Sequence, residues 1–517
     1  MTSPVAAFVQ IYLPPARSRG DITLLLELAG IVPLQVWIGV VTLAARARGL
    51  NRMRRNFLTL LLLCSFVLPL PQALGAPREE DGAEVVGEFL LLLLGSPEGR
   101  QQALEFVDTQ WQPGFTPMLL EVLTFNRDPA FAPSLVALLE KKSGQSFGFN
   151  IEQWQQWLWN REPAFDPAYP EFKSALYGLL DERFENYFGS QRATSIRLDE
   201  VVWGGVKQDG IPPLRQPDMI SAAQADYLAD SDIVFGLEIN GDVRAYPRRI
   251  LGWHEMFVDD VGGVPVVGVY CTLCGTMILY QTRVAGQDHE LGTSGFLYRS
   301  NKLMYDRATQ SLWNTLWGKP VVGPLVGSDI VLPRLSVVTT TWGEWRRRHP
   351  ETRVLSLATG AVRDYREGVA YRDYYATDAL MFQVPGLDTR LRNKAEVLGL
   401  VFPQYPDQPL AIAADYLAQH TVYHDQVGEL RFVVVTDTSG ANRVYEARDL
   451  RFVTWDGAAT LLDEDGNAWQ LTEAQLRRGD GQVLHRLPAH RAFWFGWYSA
   501  YSHTRLVYLG DAVTPDR

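Results

Sequence analysis

Residues 251–275 read LGWHEMFVDDVGGVPVVGVYCTLCG, and residues 417–441 repeat their pattern without a gap as LAQHTVYHDQVGELRFVVVTDTSGA. Identical residues keep the two copies in register: His254 aligns with His420, Asp259 with Asp425, and Gly262 with Gly428. The two cysteines of the first copy, Cys271 and Cys274, fall on Asp437 and Gly440. The framework is repeated without the thiols, so we expect any thiol chemistry in the first copy.

Two further pairs of segments extend the repeat. The first pairs MYDRATQSLWN (Met304–Asn314) with LLDEDGNAWQ (Leu461–Gln470) once one residue is dropped. The second pairs TWGEWRRRHPETRVL (Thr341–Leu355) with FWFGWYSAYSHTRLV (Phe493–Val507). A repeat of this length exceeds the periods of solenoid proteins. We therefore expect two pseudo-symmetric lobes packed on each other, residues 191–360 and residues 361–517, with the chemistry in the first and support from the second.

The region before the repeat has the periodicity of helices. Between residues 82 and 190, apolar residues recur at helical spacing in segments such as FTPMLLEVLTF and APSLVALLEKK, separated by turn clusters such as NRDPAF. After Ser190, short β-branched runs such as IVFGLEIN and VPVVGVY are bounded by Gly and Asp. The expected fold class is α+β, an N-terminal helical module followed by a mainly β, internally duplicated two-lobe domain. The tryptophans of the module are interpreted as packing residues, and docking of a protein partner is the alternative.

The N-terminal 76 residues have the character of a targeting segment. From Met53 to Ala76 the chain reads MRRNFLTLLLLCSFVLPLPQALGA, with a basic start, an apolar stretch and small residues at the end. This pattern is typical of a secretory signal peptide, with Met53 as the true start. The competing interpretation is a membrane span in the apolar run from Ile22 to Ala45. Either way the protein is expected to be exported, periplasmic or extracellular, with membrane contact only if this segment is retained.

Composition excludes one class of partner. The 517 residues carry a formal net charge of -11 and the calculated pI is about 5.3. Nucleic-acid binding requires a basic footprint that releases counterions from phosphates. We therefore expect no nucleic-acid partner.

The sequence YCTLCGT (Tyr270–Thr276) is the strongest chemical signal in the chain. A CxxCG turn between two strands is a shape that lets two thiolates converge on one ion, with the glycine permitting the turn. Thiolates together with imidazole suit copper or zinc. Two thiols in an oxidising compartment also suit a structural or redox disulfide. A thioredoxin-type mechanism is disfavoured because TMILYQTRV, which follows Cys274, is typical of a strand and not of a helix.

A metal held by Cys271 and Cys274 needs further donors. His254 is the first candidate, and His490 and Asp306 are further ones. Each also has a structural interpretation: His254 has a counterpart in the second copy, His490 lies among packed aromatics, and Asp306 suits a turn. Glu255, Asp259 or Asp260 could serve as a general base or orient the histidine, or could simply be acidic turn residues.

Three functional classes remain open at this level. An enzyme, a metal-dependent oxidoreductase or hydrolase, requires an open coordination position beside a pocket. A metal carrier or structural metalloprotein requires a closed site. A disulfide-stapled adaptor requires no metal. Phosphate loops, HExxH and GxSxG motifs are missing from the sequence, which disfavours nucleotide hydrolases, zincin proteases and ordinary α/β-hydrolases.

A series of short motifs carries a resemblance to a known family. The series consists of GGVKQDGIPPL, AYPRRIL, HEMFVDD, YCTLCG, SGFLYRSNKLMYDRATQSLW and TWGEWRRRHPETRVL. It resembles an uncharacterised bacterial and archaeal domain-of-unknown-function family from about Trp203 to Val507. Thr272 stands where that family usually has proline. The resemblance implies no established reaction.

Overall fold

The computed structural model describes residues 79–510. The predicted signal peptide or membrane segment, residues 1–76, lies outside this range. Among the described residues, no helix combines the length and the apolar character needed to cross a bilayer. The described part of the chain has N-terminal helices followed by a mainly β region, so the expected α+β class is confirmed at that level.

Helices dominate the first hundred described residues. They are α1 (Glu79–Leu94), α2 (Pro97–Thr109), α3 (Phe115–Phe125), α4 (Ala132–Ser143), α5 (Ile151–Trp159) and α6 (Tyr169–Gly178), followed by a short 3-10 turn, Glu182–Asn186. Local signals set their ends. Ser96 and Asn150 cap α2 and α5 with side-chain oxygens, and Gly144 ends α4 in the left-handed conformation.

The helical module packs on the first β-sheet through aromatic rings. Phe296 of that sheet lies with its ring centroid 4.8 Å from Phe184 and 5.0 Å from Tyr177. Trp154 and Trp159 are buried, and their indole N–H groups donate to the carbonyl oxygens of Gly148 and Asp199. These tryptophans contribute to the packed interior of the module.

The first β region contains three larger sheets and a two-stranded ribbon within the described residues. Its strands are β1 (Val201–Trp203), β2 (Leu214–Arg215), β3 (Met219–Ser221), β4 (Ile233–Ile239), β5 (Asp242–Pro247), β6 (Met256–Val261), β7 (Val264–Cys271), β8 (Thr276–Gln281), β9 (Arg283–Val284), β10 (Gln287–Asp288), β11 (Leu291–Tyr298), β12 (Asn301–Asp306), β13 (Leu312–Asn314), β14 (Lys319–Val322), β15 (Arg334–Leu335), β16 (Val338–Thr341) and β17 (Arg353–Leu355). The strand orders are β1-β11-β12-β13-β14, β15-β8-β7-β6-β2, β16-β4-β5-β17-β3 and β10-β9. Helices α7 (Arg248–His254), α8 (Trp342–Arg348) and α9 (Arg372–Tyr375) lie between or after these strands.

The second β region forms two sheets within the described residues. Its strands are β18 (Glu396–Phe402), β19 (Tyr405–Ala413), β20 (Val422–Val427), β21 (Leu430–Thr436), β22 (Asn442–Glu446), β23 (Phe452–Trp455), β24 (Thr460–Asp463), β25 (Ala468–Leu471), β26 (Gln475–Arg478), β27 (Val483–Leu487), β28 (His490–Phe493) and β29 (Arg505–Val507). The strand orders are β28-β18-β19-β29 and β20-β21-β22-β27-β26-β25-β24-β23. Helices α10 (Ala414–Gln419) and α11 (Trp494–Ala500) complete this region.

The two β regions contain segments with the same order of connections. In each, a hairpin (β4-β5 or β18-β19) leads into a short helix and then into a second hairpin (β6-β7 or β20-β21), which belongs to a different sheet. A later strand, β16 or β28, returns antiparallel to the first strand of the first hairpin. A tryptophan-rich helix follows it, and the next strand, β17 or β29, runs parallel to β5 or β19.

Side-chain contacts repeat as well. Trp345 donates its indole N–H to Thr352 Oγ1 at 3.0 Å, and Trp497 donates to Thr504 Oγ1 at 3.0 Å. Each ring lies on a glycine of the neighbouring strand β4 or β18, where an added Cβ would lie 2.4 Å from the Trp345 ring at Gly236 and 2.1 Å from the Trp497 ring at Gly399. Glycine is needed at both positions because the ring occupies the space of a side chain.

The two β regions share one apolar core. Met256 and Ile278 of the first region and Val397, Trp494 and Trp497 of the second are buried in the same cluster. Residues from both regions therefore lie around the CxxC turn.

Candidate dithiol site

The CxxC turn joins β7 to β8, so the strand predicted after Cys274 is present. Cys271 pairs with Thr276 at the end of the ladder, and the chain turns through the four residues between them. Gly275 has a φ of 57°, a left-handed conformation that favours glycine. A Cβ there would also lie 2.7 Å from the ring of Phe493. The glycine thus serves both the turn and the close approach of the second β region.

Both cysteines are free and buried. The exposed fraction is 1% for Cys271 and 0% for Cys274. Helix α11 covers Cys274, since a Cβ added at Gly496 would lie 3.0 Å from its Sγ. A helix from the other β region therefore shields Cys274 from solvent.

The sulfur atom of Cys274 both accepts and donates a hydrogen bond. Asn301 Nδ2 donates to Cys274 Sγ at 3.4 Å, and the Cys274 thiol lies 3.5 Å from the carbonyl oxygen of Ser300. Burial opposes ionisation of Cys271, but hydrogen bonds from the Cys274 thiol and from the backbone N–H groups of Lys302 and Cys274 outweigh it, so the pKa of Cys271 lies below its ordinary value. Burial and the neighbouring Cys271 raise the pKa of the Cys274 thiol well above its ordinary value. The two thiols are therefore unequal.

A buried ion pair lies beside the thiols. Glu255, with a φ of 56° at the end of α7, is 3% exposed and pairs with the ammonium group of Lys302. Its Oε1 accepts hydrogen bonds from Thr272 Oγ1 at 2.7 Å and from the hydroxyl of Tyr371 at 2.9 Å. These bonds and the paired cation stabilise a carboxylate that burial alone would disfavour.

Tyrosines around α9 hold the turn from outside. Tyr374 donates to the carbonyl oxygen of Leu273 at 2.8 Å, and Tyr375 donates to that of Thr272 at 2.9 Å. The segment YRDYY (371–375) was not identified as functional from the sequence, although its density of tyrosines was a visible signal. Its contribution depends on contacts that span about a hundred residues, which no local pattern reveals.

A cavity of about 30 Å³ borders the site. Its polar lining consists of Glu255, Cys271, Thr272, Thr293, Lys302 and Tyr371. Of the two cysteines, only Cys271 borders it. A volume of this size holds about two water-sized groups.

His254 is buried next to Glu255 in sequence, but its ring makes bonds of its own. Nδ1 lies 2.9 Å from the carbonyl oxygen of Pro212, and Nε2 lies 2.6 Å from the hydroxyl of Tyr365. Burial lowers the pKa of His254. Its counterpart His420 is exposed and stacks on Tyr416 with centroids 4.1 Å apart. The two aligned histidines therefore have different environments.

The other two predicted metal donors, His490 and Asp306, have separate environments of their own. His490 lies on β28 with its ring 5.6 Å from Trp497, and burial together with Arg334 lowers its pKa well below the ordinary value. Asp306 accepts the backbone N–H groups of Ala308 and Thr309 at 2.9 Å and contacts His289 Nδ1 at 3.1 Å. Across residues 79–510, no group of three or more His, Cys, Asp or Glu side chains is arranged to hold a metal ion. The structure thus places Cys271 and Cys274 on one turn. It does not gather His254, His490 and Asp306 around them as a set of metal ligands.

The acidic residues of the hairpin β6-β7 make structural contacts. Asp259 accepts from Arg244 at 2.6 Å and from the Tyr246 hydroxyl at 2.7 Å. Asp260 accepts the backbone N–H of Gly263 at 3.0 Å, within its own turn. Both carboxylates are thus engaged in holding the hairpin.

The aligned position in the second region holds charges in place of thiols. Asp437, which aligns with Cys271, pairs with Arg443 at 2.8 Å, and Arg443 pairs with Glu473 at 2.7 Å. Arg486 pairs with Glu473 at 3.0 Å. Burial opposes ionisation of Glu473, but Arg443, His349 and Arg486 outweigh it and hold its pKa well below the ordinary value. This buried network supplies no nucleophile and no soft donor, so the two aligned turns differ in chemistry.

A family model described as "Protein of unknown function (DUF3179)" matches residues 208–504. The match includes the dithiol turn and the second β region and excludes the helical module. No curated protein and no solved structure matches the chain.

Proposed function

The chain belongs to the DUF3179 family of proteins of unknown function, and for it we propose an exported redox protein whose Cys271 and Cys274 interconvert between a dithiol and a disulfide. Oxidation forms one S–S bond and releases two protons and two electrons to an acceptor, and reduction reverses this. Export would place the pair in a compartment where disulfides persist.

The observation that carries this proposal is that two buried, free thiols lie on one turn, with two residues between them, beside a cavity that Cys271 borders and Cys274 does not. The two thiols are also unequal, because the pKa of Cys271 is lowered and that of Cys274 is raised. Such a pair has a nucleophile and a partner that resolves the oxidised form. Glu255 and Lys302 border the same cavity as Cys271 and place a carboxylate and an ammonium group there.

Equilibration in dithiothreitol redox buffers tests this function. Thiols are then blocked by alkylation after denaturation and counted by mass. We expect a single two-electron transition in the unsubstituted protein and none in Cys271→Ser or Cys274→Ser, while Cys64→Ser leaves the transition in place. Thiols that stay fully reduced across the whole range would refute the proposal.

A second candidate is a soft metal ion clamped between the two sulfurs. It is favoured by the N–H donors of Lys302, Cys274 and Asn301, which suit sulfur atoms that carry negative charge. Thiolates select copper(I) or zinc. His254 joins as a third ligand in this candidate only if its ring leaves Pro212 or Tyr365.

Elemental analysis of protein purified anaerobically without chelators tests the metal candidate. About one copper or zinc per chain, lost in Cys271→Ser, would support it. His254→Ala lowers the metal content if the histidine binds the ion, and His420→Ala is the matched control. A full count of free thiols without metal favours the redox candidate.

We propose further that the two β regions descend from one duplicated unit in which the second copy now supports the first. The repeated Trp-to-Thr hydrogen bonds and the matched strand connections support this. A chain ending at residue 360 should then lose the ordered CxxC turn, since half of the shared core is missing. Native-like burial of both thiols in that truncated chain would argue against the supporting role.

A further inference from the structure

Access to the dithiol is limited to Cys271. Both thiols are buried, and the bordering cavity touches Cys271 and not Cys274. A reagent that enters this cavity therefore meets the Cys271 sulfur first. Cys274, covered by α11, can react only with Cys271 or after the structure opens.

The cavity also limits the size of the reagent. Its volume of about 30 Å³ matches about two water-sized groups. A protein disulfide, a tripeptide thiol or an organic quinone is too large for it. An oxidant with two heavy atoms is small enough to enter the cavity.

Apolar side chains such as Val206, Leu273 and Phe296 supply most of the lining surface, and a few polar groups lie among them. Thr272 presents a hydroxyl, and Glu255 with Lys302 supplies a carboxylate and a cation within the same wall. Thr272 Oγ1 already donates to Glu255 Oε1 at 2.7 Å, so the hydroxyl oxygen remains able to accept a hydrogen bond from a guest. These groups can bind and protonate a departing oxygen.

We propose that the oxidant of the dithiol is hydrogen peroxide, bound in the cavity against Cys271. This inference rests on the redox function proposed above and names its substrate. The Cys271 sulfur attacks one peroxide oxygen, an S–O bond forms and the O–O bond breaks. The proton lost by Cys271 passes to the departing hydroxide, which leaves a sulfenic acid and one water.

Cys274 completes the reaction. Its sulfur attacks the Cys271 sulfur, the S–S bond forms, the S–O bond breaks, and hydroxide leaves with the Cys274 proton as a second water. Two thiols are thus oxidised to one disulfide and one peroxide is reduced to two waters. A thiol-class reductant, acting when the site opens, returns the dithiol.

Mass spectrometry with single-cysteine variants tests the order of attack. With hydrogen peroxide, Cys274→Ser should gain about 16 Da, one oxygen, on the peptide that contains Cys271. Cys271→Ser should keep Cys274 as a free thiol over the same time. Oxygen found on Cys274 and not on Cys271 would overturn the assignment.

Size selectivity tests the cavity. In the folded protein, hydrogen peroxide should form the disulfide at least about tenfold faster than cumene hydroperoxide, because the reactivity of a thiol depends on its access. In urea, where the cavity is lost, the two peroxides should react at similar rates. Val206→Ala shortens a side chain of the lining and so widens the cavity. The rate of disulfide formation with tert-butyl hydroperoxide, relative to that with hydrogen peroxide, should therefore rise. Equal rates with small and bulky peroxides in the folded protein would refute the inference.

The outcome separates this inference from the function on which it rests. If the disulfide forms reversibly in dithiothreitol buffers but peroxide reacts without size selectivity, the redox function stands and peroxide is not its substrate. If no oxidant forms the Cys271–Cys274 disulfide, both proposals fail.

Discussion

The backbone N–H of Phe493 donates a hydrogen bond of 2.7 Å to the carbonyl oxygen of Cys274. This bond joins the second β region to the CxxC turn of the first. Together with the ring of Phe493 over Gly275, it makes the geometry of the dithiol depend on packing between the two regions. A site built this way can be disturbed by changes far from it in sequence.

Gly496→Ala tests the cover over Cys274. The added methyl group would lie 2.9 Å from Cys274 Cβ, closer than packed carbon atoms normally approach. We expect a loss of about 1–3 kcal/mol of unfolding free energy, as for overpacked cores, and faster alkylation of the thiols. Gly479→Ala, where no atom lies within 4 Å of the added carbon, is the matched control for urea denaturation.

Tyr374→Phe tests the outer support of the turn. It leaves the buried carbonyl oxygen of Leu273 without the phenol donor that now lies 2.8 Å away. The unfolding free energy should fall by about 1–3 kcal/mol, the usual cost of an unsatisfied buried group. Tyr498→Phe, on a ring that packs against Trp494, should cost less. Equal losses in the two variants would contradict the role assigned to Tyr374.

Glu473→Gln tests the charge network of the second region. It removes the carboxylate that pairs with both Arg443 and Arg486, so the Arg486 side chain, which is 7% exposed, loses this partner and Arg443 is left with Asp437. We expect a loss of about 3–5 kcal/mol at neutral pH. Thermal denaturation of the variant beside Glu446→Gln, an exposed-pair control, measures it.

The same charge network predicts that the stability of the protein falls in acid. The pKa of Glu473 in the folded protein lies well below its value in the unfolded chain, about 4.3. Its stabilising contribution is therefore fully present above pH about 5 and is lost as the pH falls through the folded pKa. The melting temperature of Glu473→Gln should fall less steeply than that of the unsubstituted protein between pH 5 and 3. Parallel curves would refute this.

The lowered pKa of His254 predicts a second pH dependence of stability, at higher pH. Burial lowers its folded pKa below that of the unfolded chain, about 6.5, so the unfolded state binds the proton more tightly. The contribution of His254 to stability is present above pH about 6.5 and is lost as the pH falls through the folded pKa. The difference in melting temperature between the protein and His254→Gln should shrink below pH about 6. His420→Gln, on an exposed ring, should show no such change.

Much of the local structure could be predicted from the sequence. The helical periodicity of residues 82–190, the hairpin signal DDVGG and the strand after the CxxC turn all correspond to elements of the structure. Such elements follow from periodicity, turn residues and caps, which act over a few neighbouring residues. The α+β class followed from their order along the chain.

The surroundings of the thiols could not be predicted in this way. His254 lies 17 residues before Cys271 and was the first candidate ligand, yet its ring bonds Pro212 and Tyr365. Lys302 and Tyr371 contact Glu255 although they are distant in sequence. The direction of a side chain at a helix end, such as that of His254, depends on which distant segment packs against it. A local motif does not contain that information.

Sequence alone indicated that helices precede strands in this chain, that the pattern of residues 251–275 recurs in residues 417–441, and that the two cysteines occur only in the first of these segments. Tertiary structure decided which groups surround Cys271 and which cavity borders it. The physical reason is range: backbone conformation responds to adjacent residues, whereas burial, ion pairing and cavity size arise only where distant segments such as α9, β12 and α11 pack on one turn.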